Sequence, residues 1–132
     1  TRTFFIIEAD EYQREVYHNV LDANKIGIKN SIIPKTMHDV DNETTLVLEN
    51  GKFKEFIVHK TGHGLGLDVH EDPYIVRGNT ASLEKGMIIT VEPGLYIPGK
   101  FGIRIEDDVV ITDNDPQILT SFSKELRIIN NE

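Results

Sequence analysis

Three of the five histidines, His59, His63 and His70, fall within twelve residues, and glycines at 62, 64 and 66 stand between them. Glu71 and Asp72 follow directly. Alternating glycines let a backbone turn tightly and approach a ligand closely. They also make a poor helix, so the four-residue step from His59 to His63 is not read as a metal-binding pair on one helical face. A lone histidine is more often part of the packing than of a site. Three of them, with glycines interleaved and carboxylates beside them, reverse that weighting.

Carboxylates where a strand should be apolar give a second lead. Met87-Ile88-Ile89-Thr90-Val91 reads as a strand and ends at Glu92-Pro93-Gly94. Further on, period-two alternation puts Arg104, Glu106 and Asp108 on one face, with Ile103, Ile105 and Asp107 on the other. Alternating charge is explained by a solvated face. A single glutamate closing an apolar run is not, because a buried carboxylate needs a metal or a cation to offset its desolvation. One histidine and two glutamates make a mainly hard-oxygen donor set, suited to Mn²⁺ and also to Co²⁺ or Zn²⁺. Clustered carboxylates can also bridge two ions, a site that can activate water and clamp an oxyanion.

The elements that must position these groups follow from pattern. Residues 3–7 are aromatic and β-branched, as in a half-buried strand. Asp10 offers an N-cap, and Val16, Val20, Leu21 and Ile26 recur at helical spacing, predicting an amphipathic helix over 10–27 that stops at Gly27. Pro34 and Thr36 mark a second start. Val40, Leu46, Val47 and Leu48 support a helix ending at Asn50-Gly51, with a strand at 44–48 as the alternative, because Thr44 and Thr45 are β-branched. Residues 95–97 read as a short strand and 102–112 as one long strand. Two helices followed by several antiparallel strands predict an α+β layer structure.

The 132 residues suffice for one domain or slightly less. With 39% apolar residues and no run long enough to span a bilayer, disordered and transmembrane classes are excluded. Acidic residues outnumber basic ones 22 to 14, a formal charge of −8 that disfavours a nucleic-acid partner. The chain has no cysteine, so a disulfide scaffold, a thiolate metal site and a cysteine nucleophile are ruled out. This fits a reducing cytoplasm, the expected location. Thr1-Arg2-Thr3-Phe4-Phe5 has neither the basic nor the apolar region of a signal peptide and reads as a strand already under way.

Four segments together carry a resemblance. They are Thr61-Gly62-His63-Gly64-Leu65-Gly66, His70-Glu71, Val91-Glu92-Pro93-Gly94, and Gly102-Ile103-Arg104-Ile105-Glu106-Asp107-Asp108. In this order and spacing they resemble the pita-bread metallopeptidases, in particular aminopeptidase P and Xaa-Pro dipeptidase (prolidase). The likeness runs from Thr1 to Leu126. Methionine aminopeptidases share the glycine–histidine motif but have a glutamine-rich variant of the last strand, so residues 104–108 favour the proline-directed branch. The dipeptidase is preferred over aminopeptidase P.

The resemblance implies two divalent metal ions, Mn²⁺ before Co²⁺ or Zn²⁺, held by five side chains. Three positions match: His63, Glu92 and the bridging Glu106. His59 and His70 match histidines that position substrate and stabilise the intermediate, and Glu92 also matches a proton relay. Arg104 matches an arginine beside the bridging carboxylate, and Tyr96 a tyrosine lining the site. The two remaining ligands are aspartates upstream of a Thr-Arg-Thr-Phe segment, the point at which this chain opens. Residues 1–132 are therefore expected to be the C-terminal part of a pita-bread catalytic domain, with two helices and a curved antiparallel sheet. The implied activity is hydrolysis of the peptide bond preceding proline by a metal-bound hydroxide. The implied partners are a peptide with proline at its second position and, for the full-length protein, a second copy in a homodimer, with no nucleic acid and no membrane. The isolated chain is expected to be inactive. The rival reading is a non-catalytic pita-bread module that binds peptides or proteins.

Overall fold

The computed structural model describes residues 1–130. A short strand β1 (Phe5–Ile6) leads into helix α1 (Glu11–Asn30), followed by helix α2 (Met37–Asn50) and a 3-10 turn (Lys54–Phe56). The strands are β2 (Gly62–Gly64), β3 (Glu71–Ile75), β4 (Ile88–Val91), β5 (Gly94–Ile97), β6 (Phe101–Arg104), β7 (Asp107–Val110), β8 (Gln117–Ile118) and β9 (Ile128–Ile129). The main sheet has the order β3-β2-β4-β7-β8 and is antiparallel throughout; β5 pairs with β6, and β1 pairs in parallel with β9. This is an α+β arrangement. Among the described residues no helix is long and apolar enough to cross a membrane.

Asp10 caps α1 through a capping box with Gln13, as its position suggests. Val16, Val20 and Leu21 are buried as expected, while Ile26 is only half-buried. Gly27 does not end the helix. A Cβ there would meet Thr44 Oγ1 at 2.5 Å and Val91 Cγ1 at 2.7 Å. The glycine lets α1 lie against α2 and β4, so its role is close packing. Thr36 and Asp39 cap α2 with a second capping box. Thr44 Oγ1 donates to the carbonyl of Val40 inside α2, which settles 44–48 as helix.

The predicted strand over 102–112 is two strands in different sheets. β6 pairs with β5, and β7 pairs with β4. The chain changes sheets at Ile105-Glu106, yet the period-two alternation continues across the break. Ile103, Ile105, Asp107, Val109 and Ile111 are all buried. Apolar residues collect in two clusters. One joins the first half of α1 to β5 and β6, through Val16, Val20, Leu95 and Ile103 among others. The other joins α2 to the main sheet, through Met37, Val40, Ile89, Val91 and Val109. The seam between them is where the candidate site lies.

Candidate metal centre

At that seam the ladder hydrogen bonds run out, and Asn24 of α1 closes the gap. Its amide nitrogen lies 3.0 Å from the carbonyl of Val91 and 3.4 Å from that of Ile105. These are the residues immediately before Glu92 and Glu106. An asparagine side chain can donate twice and accept twice. Asn24 Oδ1 accepts from Lys124 Nζ at 2.9 Å, so the amide is used from both ends while fully buried.

β4 delivers Glu92, and β2 delivers His63. Both are buried, at 8% and 6% exposure. His63 Nε2 and Glu92 Oε1 are 3.1 Å apart. The other ring nitrogen of His63, Nδ1, lies 2.8 Å from the carbonyl of Gly64. A carbonyl only accepts, so Nδ1 carries a hydrogen and Nε2 faces the carboxylate. A contact at that distance requires a proton or a cation between Nε2 and Oε1. Thr90 joins the pair from behind: its hydroxyl accepts the His63 N–H and donates to Glu92 Oε1, both at 3.0 Å. The backbone can come this close because β2 has glycine at position 62. A Cβ on Gly62 would fall 1.9 Å from the carbonyl oxygen of Thr90.

His59, Tyr96 and Arg104 form the adjoining wall. The rings of His59 and Tyr96 are edge-on with centroids 5.6 Å apart, and the Arg104 guanidinium lies 5.7 Å from the Tyr96 centroid. His59 Nδ1 lies 2.7 Å from the Lys60 carbonyl and donates to it, while Nε2 is buried with no partner among the described residues. Burial pushes the His59 ring below the usual histidine range, and Arg104 adds to this. A neutral ring with Nδ1–H leaves Nε2 as an acceptor. His70 is exposed and tilts over His63 with centroids 4.4 Å apart.

Arg104 lies beside both glutamates. Its ion pair goes to Glu92 Oε2, at 3.4 Å, and, against the effect of burial, its charge also favours the ionised form of Glu106. The Thr1 hydroxyl bonds the Glu106 carboxylate. Among the described residues, no three histidine, aspartate or glutamate side chains converge as a set able to hold a metal. The structure therefore brings together His63, Glu92, Arg104, Tyr96, His59 and His70, with Glu106 close enough to Arg104 and His59 to act on their charge.

Several residues that build the site went unnoticed in the sequence. Thr90 is one, and a hydroxyl inside an apolar strand was its only signal. Thr3 clamps Arg104 by bonding its N–H and its carbonyl, at 3.1 and 3.0 Å. Arg2 donates to the Glu106 carbonyl and, at 2.7 Å, to Asp107 Oδ1.

Residues 1–113 match the metallopeptidase family M24. The chain belongs to that family. It is 38% identical over 126 residues to an Xaa-Pro dipeptidase of Pyrococcus furiosus, covering 96% of this chain and 36% of that protein. Two solved structures show the same backbone. The prolidase of Pyrococcus horikoshii matches with a TM-score of 0.92 at 37% identity, over 95% of this chain and 36% of that one. An X-Pro aminopeptidase of Thermotoga maritima matches with a TM-score of 0.92 at 36% identity, over 97% of this chain and 36% of that one. The chain thus spans about a third of the length of the relatives it matches. The fold is the C-terminal portion of a pita-bread prolidase domain, with its two helices and antiparallel strands.

His63 and Glu92 fit part of the donor set that a divalent ion would need. Two donors each about 2.0–2.2 Å from one divalent ion lie about 3 Å apart when adjacent in its coordination shell. His63 Nε2 and Glu92 Oε1 meet that spacing. Both are buried and of suitable chemistry, one imidazole and one carboxylate.

Proposed function

We propose that residues 1–132 form the C-terminal part of a catalytic domain that hydrolyses the peptide bond preceding proline, with the dipeptidase reading ahead of aminopeptidase P. The observation that supports this most is the buried contact between His63 Nε2 and Glu92 Oε1, in a chain of family M24. His63 and Glu92 would hold a divalent ion, with Mn²⁺ favoured by the oxygen-rich set. Glu106 would join them in the full domain together with two aspartates from outside this chain. A bound ion would supply Lewis acidity to the scissile carbonyl and lower the pKa of water toward neutrality.

The chain's own residues supply the rest. Thr90 fixes the Glu92 carboxylate by donating to its Oε1. Glu92 can then pass a proton to the departing nitrogen. His59 is neutral, with Nε2 as an acceptor, so it receives a hydrogen bond from a substrate donor and does not donate to an oxyanion. His70, exposed at the mouth, is free to donate to the substrate carbonyl oxygen. Tyr96 and Arg104 form an aromatic and cationic wall for a prolyl ring and a peptide carboxylate. A cytoplasmic enzyme acting as a homodimer is part of the same reading.

The test is hydrolysis of Xaa-Pro dipeptides and of longer Xaa-Pro-Xaa peptides by the full-length protein with Mn²⁺. Cleavage confined to dipeptides selects the dipeptidase. The second reading is a non-catalytic pita-bread module that binds peptides or proteins. Binding of both peptide classes with cleavage of neither would establish that reading and end the first.

A further inference from the structure

Asp41 lies on α2 and is buried, at 6% exposure, yet no cation bonds its carboxylate among the described residues. Both its oxygens are used on backbone. Oδ1 accepts the N–H of Thr61 at 3.2 Å, and Oδ2 accepts the N–H of Arg77 at 3.0 Å. Thr61 comes directly before β2, and Arg77 comes just after β3. Those two strands pair with Gly62 opposite Ile75, so the carboxylate closes the open end of their hairpin and ties it to the helix. Burying a carboxylate without a counterion is costly, and fixing two backbone donors is the compensation visible here.

The consequence reaches the candidate centre through Thr61. The carbonyl of Thr61 accepts the N–H of Glu92 at 2.7 Å, and His63 is two residues further along β2. One side chain on α2 therefore sets the residue from which both His63 and Glu92 are placed. We propose that Asp41 is a positioning residue for the His63–Glu92 pair, acting through Thr61. This rests on the reading of His63 and Glu92 as the groups that hold the ion.

The seam between α2 and the hairpin has a second contact that provides a control. The guanidinium of Arg77 makes two bonds to Glu49, at 2.8 and 3.1 Å, without touching Thr61. An asparagine at 41 is nearly isosteric but can accept through one atom only, so one of the two N–H groups would face an NH₂.

The experiment is Mn²⁺ titration of the full-length protein, together with amide hydrogen exchange at Thr61, Arg77 and Glu92. The variants are Asp41→Asn and Glu49→Gln. Loss of a group that orients a ligand typically weakens metal binding by about 10–100-fold. Asp41→Asn should raise the Mn²⁺ Kd by that factor and speed exchange at all three amides. Glu49→Gln should leave the Kd and the exchange at Thr61 and Glu92 as in the wild type. A folded Asp41→Asn protein with unchanged Kd and exchange overturns the proposal, as does an equal loss in Glu49→Gln, which would mean only that the seam had loosened. If Asp41→Asn does not fold, Asp41→Glu decides. It keeps both acceptors but moves them by one methylene, so a raised Kd supports positioning and an unchanged Kd overturns it. If the wild type binds no Mn²⁺, the metal reading itself fails. The anchoring of Thr61 and Glu92 then stands or falls on the exchange rates alone.

Discussion

Glu92 and Asp107 are close neighbours, since Val91 pairs with Asp107 across β4 and β7, and both carboxylates are buried. Their surroundings are opposite. Asp107 receives Arg2 at 2.7 Å, Lys124 at 2.7 Å and Thr120 at 2.6 Å, two cations and a hydroxyl. Burial pushes its carboxyl up, but those three bonds outweigh it and hold it below the usual aspartate range. Glu92 has the Thr90 hydroxyl, a longer contact to Arg104, and the Nε2 of a histidine facing it. A buried carboxylate whose bonding capacity is filled by fixed donors is part of the frame. One that faces a histidine ring nitrogen at ligand spacing can share a cation with it. The frame carboxylate sits next to Glu106, so the Arg2–Asp107–Lys124 network holds the segment that carries the third candidate ligand.

The sharpest way to break the comparison is to remove the frame member. Asp107→Ala leaves two buried or half-buried cations without their partner, a loss that usually costs about 3–5 kcal/mol. Unfolding in urea should show a midpoint lowered to match. A change below about 1 kcal/mol would mean that Arg2 and Lys124 find other partners, and that Asp107 is no more a frame residue than Glu92.

Thr90 comes next, because it serves both sides. Thr90→Val keeps shape and β-branching but leaves the buried His63 N–H unpaired. An unsatisfied buried donor costs about 1–3 kcal/mol. The same change frees the Glu92 carboxylate to rotate, so Mn²⁺ affinity should fall by about 10–100-fold. Loss of stability with full metal affinity would confine Thr90 to the frame.

For Glu92 itself the expected sign on folding is reversed. With His63 neutral, Glu92→Gln replaces the carboxylate facing Nε2 with an amide that can donate to it. Stability should be unchanged or higher by up to about 1 kcal/mol, the usual exchange of function for stability at a site. Metal affinity should drop by more than the Thr90→Val variant loses. A Glu92→Gln protein destabilised as far as Asp107→Ala would show that both carboxylates are structural.

This contrast also shows what could be read from sequence. Asp107 shares a face with Ile103 and Ile105 in the period-two pattern, so its burial was legible, as was the isolation of Glu92 at the end of an apolar run. Both helices were legible through Asp10, Thr36 and their apolar spacing. The break at Ile105-Glu106 was not, because alternation continues across it and only the pairing partner changes. Gly27 gave the wrong signal, since a glycine at a helix stop and a glycine under a crossing strand look alike in one dimension. Thr90, Asn24 and Asp41 were invisible for a related reason. Each acts through backbone groups between 20 and 81 residues away, and backbone partners leave no trace in side-chain type.

The smallest effect concerns an aspartate near the surface, where neither burial nor a cation dominates. Asp39 accepts the N–H of Thr36 at 2.8 Å and its hydroxyl at 2.8 Å, closing the cap of α2. The bond from the Thr36 backbone is the main cause of a carboxyl held below its usual value, with the Thr36 hydroxyl next. A carboxyl lowered on folding stabilises the fold fully above its unfolded value, about 3.9 for aspartate. That contribution disappears as pH falls through the lower, folded value. The stability–pH curve should therefore steepen below about pH 4, and Asp39→Asn should flatten that limb while leaving the curve near neutral pH almost unchanged in slope. The same variant should not alter Mn²⁺ binding, since Asp39 reaches neither Thr61 nor Glu92. An acid limb with the same slope in both proteins would show that the cap does not depend on the charge, and that the low value of Asp39 has no counterpart in the unfolded chain to be measured against.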